Sequence, residues 1–262
     1  NIKIFIYVYN AVWIQKFYRN EIKFNFVMNK LQILMPVYNE AQSIEETLKE
    51  IFDTLNGKID FQFIISEDGS SDGTKEILRK LKEVYPMILI SDNNRKYYSK
   101  AVIDGIKKAD ADYLLIKDSD GQCDPKDILN FWSLKEKTDL VNGYRYPRYD
   151  FAYRRFISKI FFYVYKILFN VPLRDPSFAY VFMNKKVYSK LSSFKPLMPD
   201  GFFWEFNARA KALNFSFNEI KINHRKRSSG DTKIYTLKNL PKIAYTNGLG
   251  LLKLRFLKKW FF

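Results

Sequence analysis

The sequence predicts an α/β protein: a Rossmann-like, mostly parallel sheet with helices on its faces. Three observations carry that prediction. Short apolar runs bounded by turn residues alternate with stretches of helical periodicity, the pattern of parallel strands joined by right-handed crossovers. Acidic loops follow two of the apolar runs, at strand carboxyl ends, where open α/β sheets bind ligands. A chain of 262 residues, 47% hydrophobic, can bury a large core as one domain.

The first strand is Leu31-Gln-Ile-Leu-Met, ended by Pro36 and followed by the polar turn Val37-Tyr-Asn-Glu40. Ser43-Ile-Glu-Glu46 reads as a capping box opening a helix with Ile44, Leu48, Ile51 and Leu55 on one face, closed by Asn56-Gly57. Phe61-Gln-Phe-Ile-Ile65 is the second strand. It runs into Ser66-Glu-Asp68-Gly-Ser-Ser-Asp72-Gly-Thr74, an acidic loop at the same sheet edge. A helix over 74–84, Pro86, a strand over 87–90, a helix over 99–109 and the apolar strand Tyr113-Leu-Leu-Ile116 follow.

That strand delivers Asp118-Ser-Asp120-Gly-Gln122, two carboxylates and an amide at alternate positions of one short loop. Hard oxygen donors of this kind suit Mg²⁺ or Mn²⁺, which take one or two carboxylates plus phosphate oxygens. A metal-bound diphosphate, as in a nucleotide-sugar, is the ligand they point to. Acidic loops are also common as solvated turns, so the loop alone does not decide.

Together, Pro36-Val-Tyr-Asn-Glu40, Glu67-Asp-Gly-Ser-Ser-Asp-Gly-Thr74 and Asp118-Ser-Asp-Gly-Gln122 resemble, in order and spacing, the nucleotide-sugar domain of glycosyltransferase family 2. The Asp-x-Asp-x-Gln form is similar to that of the polyprenyl-phosphate branch, which includes dolichol-phosphate mannosyltransferase. The resemblance covers residues 30–235 and implies a GT-A fold, a divalent metal (Mg²⁺ or Mn²⁺) and inverting transfer from a UDP- or GDP-linked sugar. It implies that Asp120 chiefly, with Asp118 and Gln122, holds the metal at the leaving diphosphate. Asp118 also serves the donor, whose nucleoside falls to Asp68 and the turn containing Pro36, Tyr38 and Glu40.

The acceptor side matches the family in pieces. Asn142-Gly-Tyr-Arg145 matches a Gly-x-Arg element, Arg154-Arg-Phe-Ile-Ser158 an Arg-x-x-x-Ser element, and Arg227-Ser-Ser-Gly-Asp-Thr-Lys233 an Arg-x-x-Gly-x-Ser/Thr-Lys element. Arg154 and Ser158 lie on one helix face and can share a phosphate. If the acceptor is a polyprenyl phosphate, the nucleophile is already an anion, and Arg145, Arg154, Ser158, Arg227 and Lys233 position it. If it is a sugar hydroxyl on a glycan, a base is required, and Asp175 and Glu205 are the candidates. For Glu205 a structural charge in the first turn of a helix is an equal account.

Two departures stand out. The family often carries a Gly-x-Gly-like stretch before its third helix; here Tyr97 and Tyr98 stand where small residues are expected, so the donor pocket is narrower or the rings point outward. In Asp175-Pro-Ser-Phe-Ala179, Ala replaces the family's Gly.

Charge divides the chain. Residues 1–140 carry 20 Lys and Arg against 22 Asp and Glu; residues 141–262 carry 24 against 6. The basic half favours an anionic partner, and its aromatic residues lie in apolar runs, which favours a membrane surface over nucleic acid. The Phe156–Phe169 run, interrupted by Lys159 and Lys166, is too short and charged to span a bilayer; an interfacial and a buried helix both fit. The tail over 236–262 mixes cations with Leu, Phe and Trp, as suits a helix lying among headgroups. The expected location is cytoplasmic, peripheral on the inner face of the membrane. Residues 1–29 read as an extension, since Met28 would give the family's ordinary amino terminus. One Cys and one His exclude a disulfide framework and disfavour structural zinc; Cys123 reads as a small filler. A basic module without catalysis, binding membrane or nucleic acid, is the reading from another class, and it leaves the metal loop without a purpose.

Overall fold

The computed structural model describes residues 30–146, 152–198, 201–225 and 240–256. The elements run β1 (Leu31–Val37), α1 (Ile44–Leu55), β2 (Phe61–Glu67), α2 (Thr74–Leu81), β3 (Met87–Ser91), α3 (Tyr98–Ile106), β4 (Tyr113–Lys117), α4 (Asp127–Trp132), β5 (Leu140–Arg145), α5 (Ala152–Phe169), β6 (Tyr180–Asn184), α6 (Lys185–Leu191), α7 (Phe202–Ala212), β7 (Phe217–Ile222) and α8 (Leu240–Phe256). The seven strands form one sheet in the order β3-β2-β1-β4-β6-β5-β7. All pairings are parallel except those of β6, which is antiparallel to both β4 and β5. The carboxyl ends of the six parallel strands and the start of β6 therefore share one edge.

Side-chain alternation explains the layers. On β1, Leu31, Ile33, Met35 and Val37 join α1, α2 and α4 on one face, while Leu34 joins α3, α6 and α7 on the other. Burial of each such Leu, Ile or Phe stabilises the fold by about 1.5–3 kcal/mol. A third apolar cluster joins α5, α7 and α8 through Tyr165, Met198, Trp204, Leu251 and Leu254. Gly250 of α8 lies directly on Met198, where an added Cβ would collide.

Three local expectations change. Pro36 lies inside β1, because pairing with β4 stops at Leu34 and the Pro36 carbonyl takes the Ser119 hydroxyl instead (3.1 Å). The missing N–H therefore breaks no ladder bond. Ser43 makes no capping bond to α1; its hydroxyl donates to Glu40 (2.7 Å), so the expected capping box is not formed. The third helix starts one residue earlier than its pattern predicts and ends at Ile106.

No helix among the described residues is long and apolar enough to cross a membrane. The outward side of α5 nevertheless presents Ile160, Tyr163, Val164 and Ile167, which are 47–83% exposed. Their i, i+3, i+4, i+7 spacing makes one stripe, while Phe161, Phe162, Tyr165 and Leu168 face the third cluster.

Candidate active site

The loops after β1 and β2 are laced together. The Asn39 N–H donates to the Ser70 hydroxyl (2.9 Å), the Ser71 N–H to Asn39 Oδ1 (2.9 Å), and the Glu40 N–H to the Thr74 hydroxyl (3.0 Å). The Asp68 N–H donates to the Val37 carbonyl (2.9 Å). The Asp68 carboxylate accepts from the Lys96 N–H. Burial pushes this carboxyl above its ordinary range, against the pull of that N–H and of the Arg95 and Lys96 charges. Gly69, at φ +73°, lets the loop after β3 approach so closely that a Cβ would sit 2.7 Å from the Arg95 nitrogen. Arg95 in turn lies over the Tyr38 ring at 4.0 Å and beside Tyr97 at 5.1 Å.

Tyr97 resolves the departure noted in the sequence. Its backbone, φ 69° and ψ 159°, lies in a region that is essentially Gly-only. That conformation costs on the order of 1–3 kcal/mol. The ring of Tyr97 points out to solvent, and the chain turns Tyr98 inward, where its hydroxyl donates to Asp118 Oδ1 (2.9 Å).

The loop over 118–122 is fastened at both ends. The Ser119 carbonyl accepts from the Thr47 hydroxyl (3.4 Å), and the Gln122 N–H donates to Asp120 Oδ1 (3.1 Å), a turn that Gly121 permits at φ +70°. The chain leaving β7 then runs alongside it. The Arg225 N–H donates to the Gln122 carbonyl (2.7 Å), and Gln122 Nε2 donates to the Arg225 carbonyl (3.3 Å). The Arg225 guanidinium bridges Glu50 (3.0 Å) and Asp124 (3.2 Å). Asn223 donates from both its backbone and its side-chain nitrogen to Asp127. With its amide nitrogen engaged, Gln122 presents its oxygen as the atom able to ligate.

Burial and then the neighbouring Asp120 charge push Asp118 up to about 7, with Tyr98, Lys117 and Arg145 opposing. Two carboxylates held this close fit a cation that would offset their repulsion. Among the described residues no group of three or more His, Cys, Asp or Glu could hold a metal. Asp118, Asp120 and the Gln122 amide would thus be completed by phosphate oxygens, as is usual for Mg²⁺ or Mn²⁺. Burial raises the Cys123 thiol to about 12, in keeping with an unreactive filler.

The structure brings Pro36, Tyr38, Glu40, Asp68, Asp118, Asp120 and Gln122 to this one edge. Arg145 ends β5 there and is gripped by Asp175, with Nε to Oδ2 at 2.7 Å and Nη2 to Oδ1 at 3.0 Å, over the Phe178 ring at 4.8 Å. Ser177 donates to the same carboxylate (3.1 Å). Glu205 does not join the edge. It is fully buried in the first turn of α7, accepting from Arg209 Nη2 (2.6 Å), the Leu197 N–H (2.7 Å) and the Met198 N–H (3.3 Å). Of the two accounts its position allowed, the geometry is that of the structural charge. Ser158 is half-buried on α5, whose backbone also carries Arg154; the Arg154 side chain, Arg227 and Lys233 lie outside the described residues. Reading the sequence missed Arg95, Tyr98 and Arg225. The two unexpected tyrosines were a signal for Tyr98, whereas Arg225 depends on where β7 exits.

Comparisons with known proteins bear on the family and the fold. The profile of the family described as Glycosyl transferase family 2 matches residues 32–192. A dolichol-phosphate mannosyltransferase of Pyrococcus furiosus is 28% identical over 214 residues, covering 78% of this chain and 59% of that protein. An undecaprenyl-phosphate 4-deoxy-4-formamido-L-arabinose transferase of Pseudomonas savastanoi pv. phaseolicola is 27% identical over 215 residues, covering 78% and 60%. The chain thus spans about three fifths of the length of these relatives. Among solved structures, glucosyl-3-phosphoglycerate synthase of Mycobacterium tuberculosis, in complex with Mn²⁺, UDP-glucose and glycerol 3-phosphate, superposes with a TM-score of 0.64 at 16% identity, covering 87% of this chain and 80% of that one. At that identity the likeness speaks for the GT-A fold alone.

Proposed function

The chain belongs to glycosyltransferase family 2, and from that premise we propose that it transfers a sugar, with inversion, from a UDP- or GDP-linked donor to a polyprenyl phosphate at a membrane surface. The observation that carries the acceptor class is the condition, among the described residues, of the two candidate bases Asp175 and Glu205. Asp175 is committed to Arg145, and Glu205 is sealed in the core with Arg209. A sugar hydroxyl needs a base to take its proton; a lipid phosphate is already an anion and needs none. The names of both relatives carry that acceptor class.

Within this reading, Tyr38, Pro36, Glu40 and Asp68 seat the nucleoside. Asp120, Asp118 and Gln122 would hold Mg²⁺ or Mn²⁺, which when bound would neutralise charge developing on the departing diphosphate. Asp175 orients Arg145 rather than taking a proton, and Arg145 steers the phosphate oxygen toward the anomeric carbon. Arg154, Ser158, Arg227 and Lys233 complete the acceptor's phosphate site. The exposed stripe of α5 and the basic second half support peripheral attachment to the cytoplasmic side of an anionic membrane.

The test is a panel of UDP- and GDP-sugars with undecaprenyl or dolichyl phosphate and Mn²⁺, products being identified by mass. A glycosyl-phosphoryl-polyprenol is expected. Transfer to glycan hydroxyls alone would overturn the acceptor assignment.

A further inference from the structure

We propose that Tyr98 is a positioning residue for the metal loop: its hydroxyl fixes Asp118 so that one carboxylate oxygen is held and the other is left to face a cation and the donor's diphosphate. This rests on the metal-dependent reading above. The contact is the 2.9 Å bond from the Tyr98 hydroxyl to Asp118 Oδ1. A hydroxyl suits the task because it donates to a carboxylate without adding a positive charge that would repel the incoming cation.

The surrounding chain is built to present this one hydroxyl. Tyr97 takes up a backbone conformation that side chains avoid, and with its own ring outward it turns the next residue in. The Tyr98 ring rests against Phe203, with centroids 6.3 Å apart. Ser99, almost fully buried, ties the start of α3 to the Met198 carbonyl through its hydroxyl (2.7 Å). The ring is thus located by packing and the helix start by Ser99, which leaves the hydroxyl to set Asp118. Partners that orient metal-binding groups in this way typically contribute 10–100-fold to metal affinity.

The experiment uses Tyr98→Phe, which keeps the ring and removes the donor. Mn²⁺ binding is read from the free-ion signal in electron paramagnetic resonance, with UDP or GDP present, alongside thermal melting. Wild type should bind Mn²⁺ with one of the two nucleotides. Tyr98→Phe should bind it about 10–100-fold more weakly at a nearly unchanged melting temperature. Tyr98→Leu, also without the donor, should reproduce the loss. Tyr97→Phe, on the outward ring, should keep wild-type affinity; an equal loss there would overturn the assignment. Unchanged affinity in Tyr98→Phe, with wild type binding normally, defeats the role of Tyr98 and leaves the metal site standing. No Mn²⁺ binding by wild type with either nucleotide brings down the metal reading and this inference together.

Discussion

Glu205 and Asp120 are both acidic residues singled out in the sequence, yet their surroundings set them apart. Asp120 stands at the sheet edge, where among the described residues only the Gln122 N–H donates to it. Glu205 accepts four hydrogen bonds in full burial, two of them from Arg209. Glu205→Ala should therefore destabilise the protein by about 3–5 kcal/mol, because it breaks a buried ion pair by removing one of its partners. Chemical denaturation measures this; a variant of full stability with abolished turnover would return Glu205 to the role of base. This distinction was not legible in the sequence, since the partner four residues on and the Leu197–Met198 backbone meet Glu205 only in the folded chain. The edge residues were legible, because a short loop after a strand places Asp118, Asp120 and Gln122 whatever the remainder does. Asp175 was identified but not its partner, for Arg145 and Asp175 are 30 residues apart in sequence.

Among the elements, β1 to β4 and the helices between them follow directly from periodicity. The position of β6 does not: Tyr180–Asn184 reads as one more apolar run, and only pairing reveals that it enters antiparallel between β4 and β5. Helix α5 left two readings open, interfacial or buried; the structure places one side in the third cluster and exposes the other, which makes the helix half-buried and leaves the interfacial reading to a test. If that exposed stripe beds into lipid, Ile160→Gln with Ile167→Gln should reduce flotation with vesicles by on the order of tenfold. Each Ile withdraws apolar burial of up to about 1.5–3 kcal/mol. Stability should move little at such exposed positions, within about 0.5 kcal/mol each. Undiminished flotation would mean that α5 does not touch the bilayer.

Across the whole molecule, charge and chemistry are divided. The nearly neutral first half supplies the loops over 36–40, 66–74 and 118–122, and the second half carries 24 Lys and Arg against 6 Asp and Glu. Attachment through this second half should be strong on anionic vesicles, weak on zwitterionic ones and sharply reduced near 1 M salt, where the screening length falls to about 3 Å. Co-sedimentation at two salt concentrations decides it. Binding indifferent to both lipid charge and salt would assign attachment to apolar contacts alone. The charge division was plain in the sequence; that the loop over 118–122 is braced by Arg225, from the basic half, was not, because it depends on β7 leaving the sheet beside β4's loop.

Met198 gives the architecture a mechanical consequence. Its N–H is held by Glu205, its carbonyl takes the hydroxyl of Ser99, and Gly250 lies against its side chain. It works like a bearing shared by two shafts, α8 on one side and the start of α3 on the other. An added Cβ on Gly250 would collide with Met198 Cγ, so α8 packs directly on the segment whose carbonyl holds Ser99, the residue that follows Tyr98. A side chain larger than Gly at position 250 would therefore displace Met198, and the Leu197–Met198 segment is the contact through which that displacement would reach the start of α3.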